Sequence, residues 1–254
     1  MSRFTLLSIV CFCLGTLPAS ADVSLRWQDI TDNAQPELAA YLADSNIISD
    51  FVELVDKGFT FDEPLLLVIG ADSGPEFDVE KHAIKLPYSY LERAIRTQNE
   101  LVDDGEEALA LHRALDVVEY TLYHLLGHAL VHEDSEDTDA TAEAISTWLM
   151  LSYWPNGSEQ WFEDTLAFSD ASMKLDGPLS DYWHSHALYR IRRDTLRCWM
   201  LGKDPDRIET LMPAIVDTAE QLTRCESSWQ KLDRQVVELI GSVLAPDTPL
   251  VGKK

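Results

Sequence analysis

The chain has 254 residues, 46% apolar and 25% charged, which is the make-up of a folded globular protein and excludes wholesale disorder. Asp and Glu number 44 against 20 Lys and Arg, a formal net charge of −24. That balance repels phosphate backbones and anionic lipid surfaces, so no nucleic-acid partner is expected.

In chain order, the first segment is an export signal. Arg3 precedes an apolar stretch from Phe4 to Leu17, and Ala19-Ser20-Ala21 offers small residues for a cut before Asp22. The stretch is shorter than 18 residues and ends at Pro18, too short for a stable membrane span. Residues 1–21 are therefore expected to be a signal peptide, with 22–254 a single domain and no span left after cleavage. The expected location is the periplasm or the exterior. Cleavage removes Cys11 and Cys13 and leaves Cys198 and Cys225. One pair in an exported chain reads as one disulfide.

Val23–Trp27 alternates with period two, a strand. Helical spacing runs from Pro36 to about Phe59 through Leu38, Leu42, Ile47, Ile48, Phe51 and Val55. Pro64 to Gly70 is a short apolar run between breakers, a buried strand, and Ala83–Leu86 is another beyond the turn-rich Asp72-Ser73-Gly74-Pro75. After Pro87 the pattern turns helical: Leu91 to about Leu101, Glu106 to His132, Thr138 to Tyr153, Trp183 to Leu201, about 206–217 and about 219–244. The stretch from Glu106 is apolar on all sides, as for a helix in the centre of a fold. A small N-terminal sheet followed by helices makes the class α+β, predominantly α.

His124 and His128 lie four apart in that central helix. Four residues turn about 400°, so the two rings share one face and can share one Zn²⁺. His132 extends the ladder and reads as a further ligand, a group supporting a ligand or, the favoured reading, a cation at the helix end. Downstream, Asp139 and Glu143 stand one turn apart, with Glu136 and Asp137 nearby. By themselves these acids read as a solvated first helical turn, where acids are favoured.

His124-Leu125-Leu126-Gly127-His128-Ala129-Leu130 resembles the H-E-L-G-H-A-L of a family of secreted bacterial putative metallopeptidases, long catalogued as a domain of unknown function. The likeness extends along the chain. Upstream, Gly74-Pro75-Glu76-Phe77-Asp78 and Ile84-Lys85-Leu86-Pro87-Tyr88 resemble its N-A-F-Y-D and I-x-x-C-Y segments. Downstream, Trp183, His186, Arg192, Cys198 and Gly202-Lys203-Asp204-Pro205 resemble its W-x-x-H, Q-R, C-W and G-x-D-P block, and Cys225 with Trp229 its closing C and W. The resemblance implies a zincin-like domain: a small sheet, an active-site helix, a third ligand on the next helix and a C-terminal helical half. It puts Asp139 at the third-ligand position, with Glu136 as the alternative, and Glu143 behind a ligand His. His186 matches a family His, and reads either as a cleft residue able to steady an oxyanion or as a polar residue at a helix start.

The departure is Leu125. An H-E-x-x-H peptidase uses that Glu as general base, and Leu has no group to accept a proton. Loss of a positioned base costs about 10²–10⁴-fold in rate. Glu133 and Glu119 are acids in the neighbourhood, but their positions along the helix do not match. The family's upstream cysteine pair is also missing: Pro87 stands at its second position, and no Cys lies between Asp22 and Arg197. Three functions are open to such a chain: an exported zinc-binding homologue with impaired catalysis, a zinc hydrolase with a substitute acid or base, or a metal-free exported interaction protein that takes a peptide or protein ligand.

Overall fold

The computed structural model describes residues 23–28, 36–131, 138–153, 161–165, 167–168, 171, 189–207, 219–246, 248 and 250. The expected signal peptide lies outside the described residues, as do His132, Glu133, Glu136, Asp137, Trp183, His186 and most of 206–217. The architecture is mostly helical with one small sheet near the N-terminus, the α+β class expected.

Strands β1 (Val23–Trp27), β2 (Leu65–Ile69), β3 (Glu76–Asp78) and β4 (Ala83–Leu86) form one sheet in the order β1-β2-β4-β3. The first three neighbours run parallel and β3 pairs antiparallel with β4 at the edge. Parallel strands are covered on both faces, so the interior strand β2 is an apolar run with Leu65, Leu67, Val68 and Ile69 all buried. The edge strand β3 has no counterpart among the elements expected from sequence. Its Glu76 and Asp78 carboxylates bracket the Lys85 ammonium of β4 at 3.0 and 2.6 Å, so charge rather than an apolar repeat marks this strand.

The helical spacing between Pro36 and Phe59 is divided between α1 (Pro36–Asp44) and α2 (Ile47–Gly58). Asn46 sits between them at φ 63°, a left-handed conformation that Asn tolerates better than most residues. The apolar spacing carries the same break: Leu42 to Ile47 is a step of five, which no single helical face accommodates.

Helix α3 (Tyr88–Asn99) leads to α4 (Glu107–Leu130), whose residues are buried without interruption from Asp116 to Gly127. Helix α5 (Thr138–Tyr153) packs back along it. Helices α6 (Tyr189–Lys203) and α7 (Ala219–Ile240) come next. Cys198 and Cys225 join them in the expected disulfide, with Cα atoms 4.9 Å apart, an ordinary span for such a bridge. The chain then returns to its beginning: Phe59 and Leu244 form an antiparallel bridge, and Leu250 is buried near Gly58. No helix among the described residues is long and apolar enough to cross a membrane.

Candidate metal centre

Helices α4 and α5 run antiparallel. The pairs His124–Glu143, Gly127–Ala142 and His128–Asp139 lie opposite one another, rising along one helix as they fall along the other. Two imidazoles on α4 therefore face two acids on α5.

The His124 and His128 rings meet at right angles, with their Nε2 atoms 3.1 Å apart. The Asp139 Oδ1 atom lies 3.3 Å from His128 Nε2. One donor atom from each of His124, His128 and Asp139 lies within 4.8 Å of the other two. On the far side of His124, Glu143 Oε2 approaches Nδ1 at 3.3 Å. A proton on Nδ1 beside that carboxylate leaves Nε2 with its lone pair toward His128, the tautomer a metal ligand needs. His124 and Glu143 are buried, His128 is half-buried, and Asp139 is 45% exposed and borders solvent.

Burial and the adjoining His124 push the His128 ring down to about 4. It is therefore neutral, with a lone pair to offer, at physiological pH. Two imidazoles and a carboxylate converging on one point, with a carboxylate behind one ring, fit a divalent cation. The structure thus brings together His124, His128, Asp139 and Glu143, four of the residues singled out by the sequence pattern. Glu136 and His186 lie outside the described residues.

Leu125 is 1% exposed and belongs to the apolar core. No acid replaces it from the same helix. Glu119 is also buried, and burial, with the charge of Asp50 on α2, pushes it up to about 7. Gly127 has a place in the site that the motif alone does not assign. A Cβ there would stand 2.5 Å from the Ala142 carbonyl oxygen and 2.8 Å from its Cα, so α4 and α5 touch backbone to backbone between the two His–acid pairs. A glycine in the middle of an apolar helix, flanked by histidines, was the available signal.

No curated protein and no solved structure matches the chain. A family model described as putative metallopeptidase does, over residues 27–240. That span takes in strands β2, β3 and β4, the four residues of the centre, Leu125 and the disulfide. With the match covering most of its length, the chain belongs to this putative metallopeptidase family.

Proposed function

We propose that this protein is an exported zinc-binding member of its family in which peptide hydrolysis is impaired. The observation that carries the reading is the pairing of an assembled His124–His128–Asp139 donor set with a buried leucine at position 125. Two imidazole nitrogens held about 2.0–2.1 Å from one tetrahedral zinc stand roughly 3.3 Å apart, close to the 3.1 Å between the two rings. His124, His128 and Asp139 would hold the ion, and Glu143 would orient His124.

When bound, zinc supplies a Lewis acid and lowers the pKa of a water on it. The chain's own residues restrict the use of that chemistry. Leu125 has no atom that can take a proton from such a water or pass one to a leaving amine, and its burial keeps water away from that position. Glu119 precedes His124 on α4 rather than following it as the motif's base does, and Glu143 lies against His124 Nδ1 at 3.3 Å, so neither stands in the place of the missing group.

Export is supported by the N-terminal sequence and by the Cys198–Cys225 bridge, which fits an oxidising compartment. The mature chain should begin at Asp22 when isolated from the periplasm or medium.

The test is to purify the protein without chelator, strip it, and titrate zinc. One zinc per chain should bind. His124→Ala, His128→Ala and Asp139→Ala should each weaken binding by at least tenfold, and unfolded casein should remain intact. A wild-type protein that takes up no zinc would favour the metal-free interaction protein. Casein cleavage abolished by a chelator would favour a hydrolase with a substitute base.

A further inference from the structure

Glycine in a helix interior weakens the helix, because it has more backbone freedom to lose than alanine does. Gly127 nevertheless stands within the most deeply buried part of α4. The three atoms that a methyl group there would meet first are all backbone: the Ala142 carbonyl oxygen at 2.5 Å, Cα at 2.8 Å and carbonyl carbon at 2.9 Å. No side-chain rotation relieves such a contact. Relief requires the two helices to part by about 1 Å, given the 3.5–4.0 Å at which carbon atoms normally rest.

The contact lies between the two pairs that make the centre. His128–Asp139 is on one side of it and His124–Glu143 on the other, each at 3.3 Å. Parting α4 from α5 here moves both acids away from both rings together. A metal site tolerates departures of only about 0.2 Å from its ligand distances. We infer that Gly127 is a positioning residue: its missing side chain sets the spacing of α4 and α5 at the value that lets the short Asp139 reach a metal shared with His124 and His128, and lets Glu143 reach His124. This rests on the metal-binding reading above.

The experiment is a double-mutant cycle on the intact protein, with zinc affinity measured against a competing chelator dye. Cobalt substituted for zinc supplies a coordination spectrum. Gly127→Ala should weaken zinc binding at least tenfold and alter the cobalt spectrum. Asp139→Glu alone leaves the helix contact intact but pushes the carboxylate past the rings, and should also weaken binding, by about tenfold. The two together should bind more tightly than Gly127→Ala alone, because the added methylene spans the wider gap. Gly202→Ala is the control. It meets the Cys225 backbone in the same way but joins α6 to α7, so it should strain the fold without changing zinc affinity. A structure of metal-free Gly127→Ala should show α5 displaced by about 1 Å.

Unchanged affinity in Gly127→Ala, no rescue in the double variant, or an equal loss in a folded Gly202→Ala would overturn the inference. If Gly127→Ala does not fold, Asp139→Glu decides: wild-type affinity there means that the spacing is not matched to an aspartate. A wild type that binds no zinc brings down the metal-binding reading itself, an outcome distinct from all of these.

Discussion

On the proposed reading, Leu125 alters the chemistry of the site while leaving its frame in place. At 1% exposure it is part of the core rather than a cleft wall. Leu125→Glu would bury a carboxyl group among apolar neighbours, which disfavours ionisation and costs about 3 kcal/mol or more when the group must be charged. The expected result is a lower urea midpoint, with a larger loss at pH 8 than at pH 5, and no gain of casein cleavage. A second buried acid already behaves in this way. Burial, together with Asp164, pushes Asp116 up to about 8. Its folded pKa is raised above the unfolded value of 3.8, so its contribution to stability is intact below about pH 4 and is lost as pH rises toward 8. Asp116→Asn stays neutral and keeps a donor for Asp164. It should flatten stability against pH over that window and raise the melting temperature at pH 9. Much of the centre was legible at this scale, because His124 and His128 need only helical spacing to share a face. The burial of Leu125 was not, since it depends on what other elements lay over that face.

Among the elements, α4 and the Thr138–Tyr153 helix could be read from their apolar patterns, and β2 from its apolar run between proline and glycine. The edge strand β3 was missed because Glu76-Phe77-Asp78 has too few residues for a period to register, and its pairing depends on the distant Lys85. The division of α1 from α2 was available in the step from Leu42 to Ile47 but was outweighed by the apolar content on either side. The disulfide was read from compartment and count; the structure adds what it joins. Cys198 and Cys225 fasten α6 to α7 where Gly202 meets the Cys225 backbone, and Trp199 Nε1 donates to Ser228 Oγ at 3.0 Å alongside. Closing a loop with a sequence separation of 27 should stabilise the fold by about 3 kcal/mol. Cys198→Ala with Cys225→Ala is therefore expected to lower the unfolding free energy by about that amount in denaturant titrations.

For the molecule as a whole, the segment after α7 closes the chain onto its own first half. Thr60 N donates to Val243 O at 2.7 Å, Ala245 N donates to Gly58 O at 2.9 Å, and Leu250 is buried. Deleting 241–254 removes these bonds and uncovers Phe59, which is fully buried. A loss of about 2–4 kcal/mol is expected from the exposed apolar surface and unpaired backbone groups. Hydrogen exchange should show the protection lost first around Gly58 and Thr60 rather than at the His124–Asp139 centre. That centre belongs to a different kind of dependence, because the contact between Gly127 and Ala142 serves the packing of the molecule whether or not anything is hydrolysed. In a lineage that ceased to cleave peptides, selection on folding alone would go on removing substitutions at residue 127, including the single-base change from glycine to alanine. The catalytic position is exempt, since a leucine there packs well. Such a lineage would shed its base early and keep its ligand geometry long afterwards, as a by-product of keeping its core.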